Sequence, residues 1–367
     1  MTQASDPHRF TLQSPTILLN GQADIYMDTA LESLSLSESE GGLAALEVTL
    51  RAAGLAQGDG VKLVSEEEYA DTITLGKSLK VSFGPINEQE TLFEGVISGV
   101  ELILAAGDPP KLVLLAEDPL QKARMARRSK FHAVGTLASL IQAVAQQSGL
   151  TANCAGLSTE IGAEFQANES DLAFLRRICA KYGADFKIDG SQLRAFAKSD
   201  HTDADVILTY NQTVSELRFL ADLADQVTNV TMKGWDHEAS RAYSVTSNAG
   251  VLGPGTGTGG TALLQDAFNA RAEHVAEQPV HSQTQAQAIV DALYHARARR
   301  FVSVEGRCDP GVANLRVGKV AEILDAGERF SNKYYITDAT HRFSKDGTGY
   351  VTEFRGISAV WKPGVAQ

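Results

Sequence analysis

The chain has 367 residues and a mass of 39.2 kDa, more than one ordinary core needs and room for two to four domains at ~100–200 residues each. Hydrophobic residues make up 43% and charged residues 21%, and 33 basic against 45 acidic groups leave a formal charge of −12, which disfavours stable binding to nucleic acid or to an anionic membrane. Cys154, Cys179 and Cys308 are far apart with no CxxC pair, excluding a disulfide scaffold and a zinc ribbon, while no apolar run reaches the ~18 residues of a membrane span and the polar start Met1–Arg9 does not read as a signal peptide.

From Pro15 to about Leu120 the pattern is period-two alternation. Leu79, Val81 and Phe83 alternate with Lys80 and Ser82, and Val100, Leu102 and Leu104 with Glu101 and Ile103. That is a strand signal, with Gly58-Asp59-Gly60 and Gly107-Asp108-Pro109-Pro110 as turns. Residues 1–120 read as a first β-barrel domain. Between 121 and 204 the period changes to that of helices. Leu137, Leu140, Ile141 and Val144 predict a helix near 136–148 closed by Gly149. Leu172, Leu175, Ile178, Cys179 and Tyr182 predict another near 169–182, capped by Asn168 or Ser170 and stopped by Gly183. With the strands at 186–188 and 193–196, this is a small α+β domain.

Alternation returns over 205–239, where Val230 and Met232 lead to Trp235. A glycine-rich stretch, Gly250 to Gly260, reads as flexible and unpacked. A helix is expected near 283–300, with Ser282 and Gln285 at capping-box spacing, and strands resume to the end. The second β-barrel domain is therefore discontinuous, at 205–239 and 305–367, around an insertion at 240–304.

A weak internal repeat supports this division. Ile73-Thr74-Leu75-Gly76-Lys77 has a counterpart in Leu315-Arg316-Val317-Gly318-Lys319. An apolar strand follows each, Val96-Ile97 and Tyr335-Ile336, and each copy closes after a glycine-containing turn with another, at 112–115 and 350–354. The fold class expected is mainly β with α+β insertions: two similar β-barrel-like domains, the second split, plus two smaller inserted domains.

Candidate chemistry is sparse. Gly255-Thr256-Gly257-Thr258-Gly259-Gly260 satisfies GxGxxG in form, but Pro254 precedes it, the upstream stretch is polar, and no Gly-Lys-Ser/Thr follows. It reads as a loop. None of the eight histidines, His8, His132, His201, His237, His274, His281, His295 and His341, has metal-site spacing. There is no GxSxG, and Cys179 lies on the apolar face of a helix, where a thiol packs as a small hydrophobe. Spacing says nothing about a glycosidase carboxylate pair, whose members need not be near in sequence. The expectation is no enzyme, with no catalytic, cofactor-binding or metal-binding residues and no cofactor.

Charge is clustered. Glu32, Glu38, Glu40, Glu47, Asp59, Glu66, Glu67, Glu68 and Asp71 make 31–72 acidic, and Lys122, Arg124, Arg127, Arg128 and Lys130 form a basic run just beyond the first β domain. A solvated linker is the ordinary reading of such a run. The alternative is docking onto an acidic neighbour, such as the 31–72 region of another copy.

The run from Gln166 to Gly183, with Glu169-Ser170-Asp171, Phe174 and Leu175-Arg176-Arg177 at its heart, resembles the baseplate hub proteins of contractile injection systems. These are the late control D-type phage tail proteins and the hub region of the type VI secretion spike, VgrG. Three further stretches agree in order: Phe131 to Leu150, Lys233 to Asp236, and Leu315 through Tyr334-Tyr335-Ile336-Thr337 and His341-Arg342-Phe343 to Phe354. The resemblance implies a structural hub: a homotrimer joining the hexameric inner tube, or its initiator proteins, to a central spike, with baseplate wedge proteins as further neighbours. It also implies assembly in the cytoplasm before incorporation into a virion or injection particle. Duplicated barrels in three chains would place six similar units around one axis, matching a hexameric tube above and a trimeric spike below. After Trp361 little chain remains, so the spike is expected to be a separate protein. As structural residues, Phe174, Leu175 and Ile178 are expected to fill the small domain's core, Trp235 to anchor the second barrel, and Gly76 and Gly318 to relieve equivalent tight backbone positions. Acidic groups of a trimer are expected to line its bore. Two other readings stand beside this one: a spike-associated peptidoglycan hydrolase, and an adaptor carrying an effector.

Overall fold

The computed structural model describes residues 14–23, 25–52, 54–57, 60–63, 73–84, 89–199, 201–236, 239–250, 252–276, 280 and 282–362. Alternating apolar residues produce strands with one buried face. In the first part of the chain these are β1 (Thr16–Leu19), β2 (Leu31–Ser39), β3 (Ala45–Arg51), β4 (Ser78–Phe83), β5 (Glu90–Ile103) and β6 (Lys111–Glu117). In the last part they are β7 (Val206–Thr209), β8 (Glu216–Ala221), β9 (Val302–Cys308), β10 (Val320–Leu324), β11 (Lys333–Ser344) and β12 (Gly349–Ser358). All twelve join one thirteen-stranded sheet, completed by the short strand Gln22–Ala23.

The sheet consists of the same unit used twice. The first unit runs β2-β3-β6-β5-β4-β1, and the second runs β8-β9-β12-β11-β10-β7. Each has its own core. Leu36, Val48, Leu79, Val81 and Leu114 are among the residues filling the first, and Leu208, Val302, Val304, Ile323 and Tyr334 among those filling the second. One difference separates the copies: β1 is antiparallel to β4, whereas β7 is parallel to β10.

The small unit between them is built on α1 (Leu137–Gln147) and α2 (Asp171–Lys181). Thr136 and Ser139 form a reciprocal capping box on α1. Ser170 caps α2 by accepting from the Ala173 amide at 3.1 Å, while Asn168, the other candidate cap, sits in the strand before it with φ +51°. Gly149 and Gly183 follow the helix ends with φ +69° and +68°, the left-handed geometry that closes helices. Phe174, Leu175 and Ile178 are buried in this unit's core.

A fourth core lies under α3 (Gln283–Ala298), whose start is capped by Ser282. Its sheet is formed by Asn229–Asp236, Arg241–Ser247 and Ala272–Val275. Here the structure departs from expectation. The strand carrying Trp235 pairs with this layer and not with the large sheet, and Trp235 is 51% exposed. It anchors no second barrel, because the alternation that buries Val230 and Met232 turns Trp235 toward solvent.

The glycine-rich stretch also differs. A helix, Gly260–Phe268, follows it directly, and Thr258–Gly259 pair with Val360–Trp361. The stretch is packed. A Cβ on Gly257 would lie 1.9 Å from the Trp361 carbonyl oxygen, and one on Gly260 would lie 2.6 Å from the Phe301 ring. These glycines permit close approach of backbone to backbone and to an aromatic ring, which composition alone does not distinguish from a flexible linker. Of the expected Gly58-Asp59-Gly60 turn, Gly58 and Asp59 lie outside the described residues. No helix among the described residues is long and apolar enough to cross a membrane.

Candidate functional site

The repeated residues occupy equivalent positions to the level of single hydrogen bonds. Gly76 and Gly318 have φ +82° and +75°, where a side chain would be strained. The Gly76 amide donates to the Ile97 carbonyl at 2.8 Å, and the Gly318 amide donates to that of Ile336 at 3.0 Å. In return the Ile97 and Ile336 amides donate to the Lys77 and Lys319 carbonyls, both at 2.9 Å. One residue beyond each isoleucine the ladder shifts register, between Ile97 and Gly99 in β5 and between Ile336 and Asp338 in β11. A bulge at the same place in both copies re-aims the second half of each strand.

The two units meet where β2 pairs antiparallel with β11, from Ser39 opposite Asp338 to Ser33 opposite Ser344. Phe343 and Tyr350 of the second unit enter the first unit's core. There Phe83 stacks on Tyr350 with centroids 4.0 Å apart and meets Phe343 edge-on. Arg316, from the loop before β10, forms a two-pronged ion pair with Glu38 of β2, its Nε 2.6 Å from Oε2 and the second prong joining Nη2 to Oε1. Among the junction's polar groups, His341 is fully buried, its Nδ1 2.9 Å from Tyr350 Oη and 3.1 Å from Thr352 Oγ1. Burial, reinforced by the Arg316 cation, pushes its pKa down from 6.5 to about 3. The ring is neutral at ordinary pH.

The small unit clamps this junction. Asp185 accepts from the Gly41 amide at 3.1 Å and from the Tyr335 hydroxyl at 2.9 Å, touching both β units with one carboxylate. Burial raises its pKa, while Lys198 opposes the shift. Arg176 donates to the Gly41 carbonyl and Lys198 pairs with Glu40. Asp118 accepts from the amides of Ala44 and Leu120 at 2.9 and 2.8 Å, and burial raises its pKa to about 6. A cleft between the three units is lined by Glu38, Asp118, Asp185, Lys187, Arg194 and Arg316. Glu38, Asp118 and Asp185 are engaged in the bonds just described; of the other acids lining it, Glu94 faces Lys80 at 3.5 Å and Asp189 faces Arg194 at 3.9 Å.

Other sequence candidates fall elsewhere. The basic run is not a linker, and four of its five side chains are bonded within the chain. Arg128 is bonded to buried Asp171 at 3.0 Å, Arg124 to Glu117 at 2.5 Å and Lys130 to Gln147 at 2.5 Å, because Gln121–Met125 is a short helix and Arg127–His132 a strand paired with Glu164–Ser170. Asp59, Glu66, Glu67, Glu68 and Asp71 of the acidic segment, and His8, His237 and His281, lie outside the described residues. The three cysteines are buried and free, and burial raises all their thiols, Cys154 to about 11 and Cys308 to about 12. Among the described residues no three His, Cys, Asp or Glu side chains come together as a metal site. The residues that unite the units, Glu38, Asp185 and His341, were not singled out from sequence as junction residues. A lone charged residue in an otherwise apolar alternation, such as Glu38 facing inward on β2, was the signal available.

A family model, described as the Alg8 N-terminal domain, matches residues 51–345. The chain belongs to the Alg8 N-terminal domain family. That match runs from the last residue of β3 through the whole of β11, including the whole α+β part and the junction's Arg316 and His341. No curated protein sequence matches the chain. Among solved structures, the 43 kDa tail protein of prophage MuSo2 from Shewanella oneidensis superposes with a TM-score of 0.65 at 12% identity, over 95% of this chain and 98% of that one. A tail protein from Neisseria meningitidis MC58 gives 0.65 at 11%, over 94% and 96%. An Escherichia coli component of the type VI secretion system, itself similar to the T4 bacteriophage tail proteins gp27 and gp5, gives 0.60 at 11%, over 96% and 80%. This member of the Alg8 N-terminal domain family therefore has a fold shared with phage tail and type VI secretion proteins.

Proposed function

We propose that the chain is the structural hub of a contractile phage tail or a tail-like injection system, working as a homotrimer that joins a hexameric inner tube to a separate central spike. The observation that carries this is the fusion of two equivalent β units into one continuous sheet. Three such chains present six similar units around one axis while keeping three-fold symmetry, which is what an adaptor between a hexamer and a trimer needs. The likeness in fold to tail and type VI secretion proteins supports the same reading. No reaction is needed for this role. Glu38, Asp118, Asp185 and His341 at the centre of the structure are engaged in hydrogen bonds and ion pairs within the chain.

Light scattering on the purified chain, alone and with its cognate tube and spike proteins, tests the proposal. The expected result is a mass three times the 39.2 kDa of one chain, and a complex with both partners. A chain that stays single at every concentration and joins neither partner would overturn it.

A further inference from the structure

The junction inside the chain has a counterpart that the chain leaves open. β11 is paired on one side with β12. On its other side β10 covers only its first residues, and β2 covers 338–344. β5 is equivalent: β6 lies on one side and β4 covers residues 90–96 on the other. Among the described residues, no strand covers that edge from Gly99 to Ile103. The consequence is visible in burial. The β11 residues Ala339, His341 and Phe343 are 0%, 0% and 6% exposed, whereas their counterparts Val100 and Leu102 of β5, and Leu104 just beyond its end, are 41%, 43% and 62% exposed.

The missing strand also has a counterpart. β2, which fills the edge of β11, corresponds through the shared β3 and β9 positions to β8. Leu34 and Leu36 of β2 occupy the places of Leu217 and Phe219. Among the described residues β8 ends the sheet, paired on one side with β9 only. Leu34 and Leu36 are fully buried, while Leu217 and Phe219 are half-buried. An open edge with exposed apolar residues is a template for another strand.

We infer that β8 of one copy pairs antiparallel with the Gly99–Ile103 edge of β5 in a second copy of this chain, repeating between chains the contact that β2 makes with β11 within one. The internal register transfers directly. Asp222 falls opposite Gly99, Ala221 opposite Val100, Leu220 opposite Glu101, Phe219 opposite Leu102, Arg218 opposite Ile103 and Leu217 opposite Leu104. Ala221–Val100, Phe219–Leu102 and Leu217–Leu104 are then all apolar and all on one face, as cross-strand pairing requires. On the other face Arg218 lies diagonal to Glu101. The contact is head-to-tail, so it forms a ring only if the rotation closes, and this pairing rests on the trimeric reading above.

Cysteine pairs test it against the background of three buried native thiols. Leu220→Cys chains mixed with Glu101→Cys chains should form a disulfide-linked dimer on mild oxidation, and the double variant should give linked species up to a trimer. The pair Leu220→Cys and Leu102→Cys, one residue off and on opposite faces, should not link. Linking by the off-register pair instead would overturn the register. A three-copy mass with no 220–101 bond would leave the trimer standing and overturn the pairing, and a single-copy mass with no bond would overturn both. Leu102→Lys changes an already exposed side chain, so the chain should fold with an unchanged circular-dichroism spectrum while the mass drops to one copy; a mass that stays at three copies would overturn the proposal.

Discussion

Acid should loosen the junction through His341. Its ring is buried opposite Leu36 in the β2–β11 register, and the hydroxyls of Tyr350 and Thr352 face Nδ1. Tyr350 has its own pKa raised by burial and stays protonated, so its hydroxyl hydrogen-bonds Nδ1 with the donor set by the imidazole tautomer. Burial first, then the Arg316 cation, holds the folded-state pKa at about 3 against 6.5 in the unfolded chain. Between those values the unfolded chain binds the extra proton, so stability falls as pH falls. At about 1.36 kcal/mol per unit, moving from neutral to about pH 4.5 removes about 2–3 kcal/mol. Urea unfolding of the wild type and of His341→Gln, repeated across this range, isolates the effect. Glutamine keeps a polar group against Tyr350 and Thr352 but does not titrate. The variant should be the less stable at neutral pH, and the gap should close by about 2–3 kcal/mol at about pH 4.5. Two curves that stay parallel would show a ring with an ordinary pKa and refute the reasoning.

Asp118 should act with the opposite sign. Its folded pKa of about 6 lies above the ordinary 3.8, so its stabilising contribution is complete below 3.8 and is lost as pH rises through 6, by up to about 3 kcal/mol. The same urea series on Asp118→Asn should lack that loss. Arg316→Met leaves Glu38 without its cation; since both side chains are partly exposed, the cost should be about 2–3 kcal/mol, below the ~3–5 of a fully buried pair. Adding Glu38→Leu should recover part of it, as read by chemical denaturation. Gly76→Ala meets only left-handed strain, about 1–2 kcal/mol by thermal melting. Gly257→Ala, whose Cβ would collide with the Trp361 carbonyl, should cost more and unpair Thr258–Gly259 from Val360–Trp361, with faster amide exchange there as the readout.

What was legible in the sequence was local. The alternation at Leu79, Val81 and Phe83 and the helical spacing of Leu172, Leu175 and Ile178 report which face is buried, and the structure buries those faces. The Gly76 and Gly318 match was legible because a left-handed backbone position admits few residues, so a glycine marks it. Trp235 was misplaced because alternation gives a strand its faces but not its partners. Asn229–Asp236 has the pattern of a barrel strand and pairs with Arg241–Ser247 instead. The glycine-rich stretch was misread for a related reason: composition cannot tell a glycine that is free from one held 1.9 Å from a carbonyl were it given a Cβ. Arg316 lay inside the repeat and His341 inside the resemblance, but that they meet across a junction with Glu38 and Leu36 is a fact of long-range packing.

The junction inside the chain and the one proposed between copies differ in chemistry. Within the chain, the contact carries charge: Glu38 meets Arg316, Glu40 meets Lys198, and Asp185 bridges Gly41 and Tyr335. The equivalent positions at the open ends are Ala221 for Glu38, Leu223 for Glu40 and Thr74 for Arg316. The proposed second junction thus lacks the charged clamp, with apolar Ala221 and Leu223 and the uncharged Thr74 in its place. A contact held by partly buried ion pairs needs its partners delivered in fixed register, which covalent fusion and the clamping small unit provide. A contact between separate copies forms by collision and relies on apolar burial, which is tolerant of approach. In the proposed ring, alternating the two kinds of junction would make neighbouring units chemically distinct and give three-fold, not six-fold, symmetry. Six identical units would offer a trimeric spike two indistinguishable settings, whereas in the proposed adaptor the alternation would single out one set of three equivalent seats.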